Sequence, residues 1–486
     1  MKQFIRYWLK PGFFILLLGV MLQLAAAGFT AQAAGPTPPD DPIAGDTAPL
    51  PSKYVLALDS DMKALYTVNT QNNHVYGPFL KGQLGVPQYG NNSLLDAVVT
   101  PDGKTALVSN FVDKVVYLVD VSRPTDVTYI ASVPITFIPE GSTKEVSMFA
   151  EDITLTADGK YALVTDGGFA SWVVAIDIAK QEITAASSFV FDYGTLGVNI
   201  AYFNALDSAP DGTIIGVDYF GASITTLLMQ DNGSLTYSTS YKVFLDPSGN
   251  PHDEIGPETL PGRSVNAYVA PDGKTVLVPD ITSLESRMND VPDPEVGVSR
   301  HFPILVYTIT APGQLEFQNV ITLTRAVQSM TFSEDGTKVY ALGNNGVAIP
   351  GTDPTDDNWM SDYDYIELDS ISILNISAPG VVTVEKENAA LLYQISGSQL
   401  FGVDGIAYSN GRLYVGHPTM STGFILPVNV IKVVNLSNFL TTWLPTGGGV
   451  IAGTRPIPLQ RTFLPQFVQG NNEKWENPNP NPYPYP

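Results

Sequence analysis

The stretch TPDGKTALVSN, residues 100–110, decides the fold of this chain because close relatives of it recur. The recurrences are TADGKYALVTD (156–166), APDGTIIGVD (209–218), APDGKTVLVPD (270–280) and SEDGTKVYALG (333–343). In each of them an apolar run leads into an Asp-Gly pair and a second run leaves it. Glycine accepts the positive φ that tight hairpin turns require, so the pattern predicts a β-hairpin at every recurrence.

The spacing of these hairpins predicts the whole architecture. The turn aspartates stand at positions 102, 158, 211, 272 and 335, a sixth unit contains Asn410-Gly411, and a seventh begins with YVLALDSDMKALYTVN (54–69). Around Asp102 four strand-like runs follow one another: LLDAVVT, KTALVS, KVVYLVDV and YIASVPI. Seven units of about 56 residues predict an all-β fold, a seven-bladed β-propeller with four-stranded antiparallel blades, over residues 53–445.

Composition agrees with a β-protein and excludes several functions. Charged residues make up 15% of the chain, while Gly (42) and Pro (38) are numerous. The formal net charge of −23 disfavours nucleic acid as a partner. Cysteine is absent, which excludes thiol catalysis and Cys-ligated metal sites.

Both ends of the chain differ from the repeated body. Residues 1–33 are typical of a signal peptide, with Lys2, Arg6 and Lys10 before an apolar run and Ala31-Gln32-Ala33 as a cleavage site. The apolar run is shorter than the roughly 20 residues of a membrane span, so we expect export rather than a transmembrane anchor. Residues 34–52 form a Pro- and Asp-rich linker, and residues 446–486 form a Gly- and Pro-rich extension.

The hairpins also resemble a known family. PDGKTALVSN, ADGKYALVTD and NGRLYVGH resemble the PDG...YVTN repeat of bacterial YVTN and lactonase-like seven-bladed propellers. KVVYLVDVSRPTDVTYIASVPI resembles LVIVD-type repeats. The resemblance covers nearly the whole body and implies the propeller fold, which hosts many unrelated functions.

Polar residues at the ends of second strands are expected to ring one mouth of the central channel. These residues are Asn69, Asn110, Asp166, Asp218, Asp280, Asn344 and His417. Residues early in or just before the inner strands would line the same mouth: Glu151, Asp152, Asn204, Arg263, Asn266, Arg325 and Asp404. Turn-forming Asn and Asp are the alternative interpretation, because both residue types leave strands readily.

Carboxylates that converge on this mouth would suit Ca²⁺, the one cofactor that the pattern suggests. The predicted ligands are Asp152, Asp166, Asp218, Asp280 and Asp404, with Arg263 and Arg325 as alternative partners for the carboxylates. Two long loops, 281–302 and 345–366, would lie beside the mouth. The second contains Trp359 and Tyr363 among five aspartates, a composition that suits carbohydrate or peptide contact.

Local catalytic motifs such as G-x-S-x-G, H-E-x-x-H and a Walker A loop are absent from the sequence. The sequence therefore favours a secreted, non-catalytic propeller, expected to be monomeric, that binds an extracellular protein, peptide or carbohydrate. The alternative is a lactonase-like hydrolase with an acidic, Ca²⁺-binding mouth. Its candidate acid and base groups are Asp152, Asp404 and His417.

Overall fold

The computed structural model describes most of the repeated body. Its described residues are 53–59, 63–85, 94–166, 172–189, 203–218, 223–242, 244–245, 251–252, 260–261, 266–280, 301–344, 346–348, 365–393, 405–417, 430–445 and 451–457. The predicted signal peptide and linker lie outside these residues. No helix in the described ranges is long and apolar enough to cross a membrane.

All regular elements of the described residues are β-strands, numbered here in chain order. The first seventeen are β1 (Tyr54–Asp59), β2 (Ala64–Asn69), β3 (His74–Phe79), β4 (Leu94–Val99), β5 (Thr105–Asn110), β6 (Val115–Asp120), β7 (Thr128–Pro134), β8 (Thr136–Phe137), β9 (Val146–Ser147), β10 (Ala150–Leu155), β11 (Tyr161–Asp166), β12 (Trp172–Asp177), β13 (Glu182–Ser188), β14 (Phe203–Ser208), β15 (Thr213–Asp218), β16 (Ser223–Met229) and β17 (Leu235–Lys242).

The remaining strands belong to the second half of the chain. They are β18 (Phe244–Leu245), β19 (Pro251–His252), β20 (Leu260–Pro261), β21 (Tyr268–Val269), β22 (Thr275–Pro279), β23 (Phe302–Ala311), β24 (Gln314–Leu323), β25 (Ala326–Phe332), β26 (Lys338–Asn344), β27 (Gly346–Ala348), β28 (Tyr365–Ala378), β29 (Val381–Tyr393), β30 (Ile406–Ser409), β31 (Arg412–His417), β32 (Val430–Asn435), β33 (Thr441–Pro445) and β34 (Ile451–Ile457).

Seven antiparallel sheets form the blades, which confirms the predicted propeller. Written from the inner strand outward, blade I is β34-β1-β2-β3, blade II β4-β5-β6-β7, blade III β10-β11-β12-β13, blade IV β14-β15-β16-β17, blade V β21-β22-β23-β24, blade VI β25-β26-β28-β29 and blade VII β30-β31-β32-β33. Inner strands of neighbouring blades contact one another, as β34 does with β4 and β4 with β10. The inner strands therefore surround the central channel.

Blade I closes the ring with a strand from the far end of the chain. β34 pairs antiparallel with β1, so Tyr54 lies opposite Ile457. The predicted end of the propeller at residue 445 is too early, because residues 451–457 complete the first blade. The first unit of the sequence supplies the second, third and fourth strands of its blade, not the first three.

The Asp-Gly turns are built alike and lie on one face of the ring, the turn face. Thr100 shows the pattern: its hydroxyl donates to Asp102 and accepts the Thr105 amide. Gly159 has φ +67°, and a Cβ there would lie 2.8 Å from Pro101 of the preceding turn. The glycines of the turns at 272 and 335 approach the prolines of the turns before them in the same way. We call the opposite face the mouth face.

The core lies between the blades. Alternate residues of a strand point to opposite sides of its sheet, so each blade packs against both of its neighbours. On β5, Ala106 and Val108 are buried against blade I, whereas Leu107 is buried against blade III. Apolar residues on both sheet faces explain why these strands read as nearly continuous hydrophobic runs.

Three smaller elements are added to the seven blades. A short hairpin, β8–β9, stands in the connection between blades II and III, and β18, β19 and β20 form a three-stranded sheet after blade IV. β27 pairs with Tyr365–Glu367 of β28. The segment 345–366, predicted as one long loop, thus contains paired strand residues at both of its ends.

Candidate functional site

The mouth face carries the ends of most second strands, as predicted. Asn110, Asp166, Asp218, Asn344 and His417 each end the second strand of a blade, and Asp280 directly follows one. The prediction for Asn69 is wrong: it ends β2, the third strand of blade I, and therefore lies on the turn face. The error follows from the inner strand β34, which shifts the order of every strand in that blade.

Several predicted site residues have no described side chain. Arg263, Trp359, Tyr363 and Asp404 lie outside the described residues, and for Asn204, Asp218, Asn344 and His417 the structure describes the strand position alone. Asn204 lies in a β-bulge near the mouth end of β14. The roles predicted for these eight residues stay predictions.

Buried aspartates on the inner strands join neighbouring blades. Asp96 Oδ1 accepts the Ala97 amide at 2.7 Å, and Oδ2 accepts the amide of Ile153 in the next blade at 3.3 Å. Asp152 repeats the bond between blades, accepting the Leu206 amide at 3.0 Å. β-bulges between Leu94 and Ala97 and between Ala150 and Ile153 set these aspartates into the inner strands.

A third aspartate joins two blades from a position two residues later in its inner strand. Asp207 Oδ2 accepts the Val269 amide of blade V at 2.7 Å. Inner strands are sheet edges with unpaired backbone groups, and a carboxylate from the neighbouring blade satisfies one of them. Asp152, predicted as an acid or base and a metal ligand, is thus a buried group that already bonds to the backbone of the next blade.

Asn266 departs from this series in blade V. Its Oδ1 accepts the Ala267 amide at 2.8 Å, as the carboxylate of Asp96 accepts the Ala97 amide. Its Nδ2 is buried and has no hydrogen-bond partner. An amide nitrogen donates, so Nδ2 cannot accept a backbone N–H from blade VI as the second carboxylate oxygen of Asp96 accepts one from blade III.

A buried lysine joins blades I and II on the mouth face. Lys63, 1% exposed, donates from Nζ to Oδ2 of Asp113 in the β5–β6 loop, at 2.7 Å. Asn110 Nδ2 and the Tyr117 hydroxyl donate to the same oxygen at 3.0 and 3.4 Å. A Cβ on Gly85 would lie 2.4 Å from that oxygen, so the close approach at φ +98° requires glycine. Three donors therefore hold one carboxylate oxygen in place.

Tyr117 is fixed as a donor in this cluster. Burial, followed by the charge of Asp113, raises the pKa of Tyr117 to about 12. The hydroxyl is therefore protonated at neutral pH and keeps its hydrogen bond to the carboxylate. Sequence patterns predicted Asn110 but missed Lys63, Asp113 and Tyr117, because the contact between blades depends on the corrected strand order of blade I.

The other predicted residues with described side chains make local contacts. Asp166 is buried, and its Oδ1 accepts the Phe149 amide at 3.1 Å. Asp280 is buried at the end of β22. Arg325 Nε donates to Asn388 Oδ1 at 2.9 Å, a contact that runs to β29, the outer strand of blade VI.

The described residues do not fit the predicted calcium site. Within them no three His, Asp or Glu side chains converge as metal ligands would. Asp152 and Asp166 instead accept backbone amides, from Leu206 and Phe149. No chemical step is therefore assigned to Ca²⁺.

No protein-family model and no curated protein matches the chain. Solved structures do match it. A "functionally unknown protein" from Desulfotomaculum acetoxidans DSM 771 has a TM-score of 0.53 at 13% identity, over 83% of this chain and 98% of that one. A "putative 6-phosphogluconolactonase" from Bacteroides uniformis ATCC 8492 has a TM-score of 0.51 at 13% identity, over 82% and 98%. The periplasmic gluconolactonase PpgL of Pseudomonas aeruginosa has 0.47 at 12%, over 85% and 98%.

These comparisons establish the lactonase-like propeller fold that the hairpins resemble. They also correct the functional expectation. The expectation of a non-catalytic binding or scaffold protein is corrected, because the neighbour of TM-score 0.51 is described as a putative lactonase, as in the alternative hypothesis. The physical reason is that a propeller assembles its site from loops of different blades, so the absence of a local catalytic motif does not argue against an enzyme.

Proposed function

We propose that the protein is a lactonase-like hydrolase that opens a cyclic ester on the mouth face, at Asp113. Water adds to the ester carbonyl carbon, the ring C–O bond breaks, and the product is a hydroxy acid. The fold likeness supports the reaction class. The residues assigned to the reaction, Asp113 and Lys63, are chosen from the geometry of this chain.

The accessibility of Asp113 carries the proposal. Its side chain is 35% exposed, whereas Asp96, Asp152, Asp166 and Asp207 are buried. Three donors hold Oδ2, and Oδ1 has no hydrogen-bond partner among the described residues. Asp113 therefore combines a fixed orientation with an oxygen that water can reach, as a general base requires.

The proposed mechanism uses this fixed carboxylate twice. Asp113 takes a proton from water as the water oxygen attacks the carbonyl carbon of the lactone. When the tetrahedral intermediate collapses and the ring C–O bond breaks, Asp113 returns the proton to the leaving alkoxide oxygen. Lys63, which is too buried to reach substrate, is a positioning residue that balances the charge of Asp113.

The test measures lactone hydrolysis for the wild type, Asp113→Asn and Asp113→Glu. The readout is the acid that the reaction releases. Loss of a general base lowers kcat by about 10²-fold or more, and we expect that loss in Asp113→Asn. Asp113→Glu keeps the charge beside Lys63 but moves the oxygen, so it should fold and still be slow. Asp126→Asn is the control and should be fully active. Asp126 is an exposed aspartate in the β6–β7 loop, on the turn face.

Two results contradict the proposal. One is a wild type that hydrolyses no γ- or δ-lactone above the buffer rate. The other is a pair of Asp113 variants that melt like the wild type and keep its kcat. Melting curves recorded for all four proteins separate lost chemistry from lost folding, since Asp113→Asn leaves the charge of the buried Lys63 without its partner.

A further inference from the structure

The loop that holds Asp113 also carries exposed apolar surface. Val112, beside Asp113, is 38% exposed. Phe111, which precedes Val112 in the chain, stacks on Phe149, with ring centroids 4.8 Å apart. Lys114 Nζ lies 4.0 Å from the centroid of the Phe149 ring. The proposed base therefore stands at the edge of an aromatic platform.

A second segment extends this platform. The connection between blades II and III runs beside the Asp113 loop, because the Ile135 amide donates to the Lys114 carbonyl at 2.9 Å. This connection holds the extra hairpin β8–β9, followed in the chain by Phe149. Phe137 on β8 meets Trp172 edge to face at 5.1 Å, and Ile138 next to it is 61% exposed.

Together these side chains form what we call the apolar rim: Phe111, Val112, Phe137, Ile138, Phe149 and Trp172. Apolar and aromatic side chains grouped beside a reacting group are the kind of surface that lines ligand-binding sites. Its aromatic pairs are partly buried against each other and hold their positions without a ligand. The rim therefore offers a rigid apolar contact to whatever substituent a bound ester carries.

We propose that the rim selects lactones with an alkyl or aryl substituent over polyhydroxylated ones. This inference rests on the proposed function for its reaction and adds the substrate class. Each methylene group that leaves water on the rim strengthens binding, so a short alkyl chain lying there is enough for clear selectivity. A polyhydroxylated ring would instead lose hydration against these side chains.

Three six-membered lactones test the inference, because they share the reacting ring and differ in its substituents. They are δ-decalactone with a pentyl chain, unsubstituted δ-valerolactone and polyhydroxylated δ-gluconolactone. We expect kcat/KM for δ-decalactone to exceed both others by about 10-fold or more, which corresponds to 1.4 kcal/mol. Equal values, or a preference for δ-gluconolactone, overturn the inference and leave the proposed function standing.

Variants locate the selectivity. Val112→Ser and Ile138→Ser change exposed positions and should fold normally. Each should lower kcat/KM for δ-decalactone several-fold, and by a clearly larger factor than for δ-valerolactone. Val384→Ser is the matched control, since Val384 is 40% exposed on the outer strand β29 of blade VI. An equal effect of all three variants, or none, overturns the assignment to the rim.

A binding measurement covers the case in which no lactone is hydrolysed. That result would remove the proposed function, and the rim would be judged by calorimetric titration with decanoate. Binding that Ile138→Ser weakens and Val384→Ser does not would support the rim as an apolar ligand site. Absence of binding by the wild type would overturn it.

Discussion

At the scale of single residues, one position of the inner strands determines how neighbouring blades are joined. Asp96 and Asn266 each stand seven residues before a turn glycine, Gly103 and Gly273. Asp96 accepts the amide of Ile153, whereas Asn266 presents a donor at the corresponding place. The amide that corresponds to Ile153 in blade VI is that of Met330, which has the same register against its second strand. Asn266 therefore lacks the second carboxylate oxygen that would accept this amide.

We predict that Asn266→Asp stabilises the protein. The new carboxylate would accept the Met330 amide, as Asp96 and Asp152 accept the amides of Ile153 and Leu206. A satisfied buried hydrogen bond is worth about 1 kcal/mol, and removal of the unpaired donor adds to it. Chemical denaturation of variant and wild type measures the gain.

The reciprocal change provides the control. Asp207→Asn removes the acceptor for the Val269 amide and should cost about 1–3 kcal/mol, the cost of a buried unsatisfied donor. The prediction for Asn266→Asp is wrong if the variant is less stable than the wild type. Equal losses for both changes would mean that these aspartates do not join the blades as described.

At the scale of elements, the hairpin turns of blades II, III and VI depend on a hydroxyl three residues before the glycine. The Thr156 hydroxyl donates to Asp158 Oδ1 at 2.7 Å and accepts the Tyr161 amide at 3.1 Å. The hydrogen bond from Thr156 is the first cause of the lowered pKa of Asp158. Thr100 and Ser333 make the same contacts in their own turns.

We predict that Thr156→Val lowers stability at neutral pH by about 1–3 kcal/mol, because the Tyr161 amide loses its side-chain acceptor. The variant should also be less sensitive to acid. A carboxylate with a lowered folded pKa stabilises the fold above its unfolded value of about 3.9, and that contribution is lost as the pH falls through the folded value.

The measurement is denaturation of both proteins at neutral pH and at several values below pH 4. Thr128→Val, an isosteric change at an exposed position of β7, is the control and should have little effect. If Thr156→Val and the wild type lose stability in parallel on acidification, the hydroxyl does not set the ionisation of Asp158.

The sequence predicts the local hairpins of this molecule but not the contacts between strands far apart in the chain. Asp-Gly hairpins are local, so residues 100–110 and their relatives predict blades II to VI and the turn face correctly. Asn69 was misplaced because the pairing of β1 with β34 leaves no local pattern. Lys63 and Asp113 were missed for the same reason, since their contact joins loops of different blades.

At the scale of the whole molecule, β34 is the element on which ring closure depends. Its removal would leave the inner edge of β1 without hydrogen-bond partners and open the channel side of blade I. We predict that a chain ending at residue 450 loses the sharp cooperative melting transition. A chain ending at Ile457 should keep it.

Calorimetry or circular dichroism during heating distinguishes these two chains. The comparison is well matched, because both lack the Pro-rich residues after 457 and differ by β34 alone. Identical melting of the two would mean that blade I is stable with three strands, and that the pairing of β1 with β34 adds little.

β34 also determines which contacts of the propeller form late during folding. Tyr54, near the start of the body, pairs with Ile457, about 400 positions later along the chain. Contacts of such large sequence separation form late, because the long loop between them must first be closed at an entropic cost. A ribosome must therefore synthesise residues 451–457 before blade I can be completed, and until then the growing polypeptide carries β1 with one open edge.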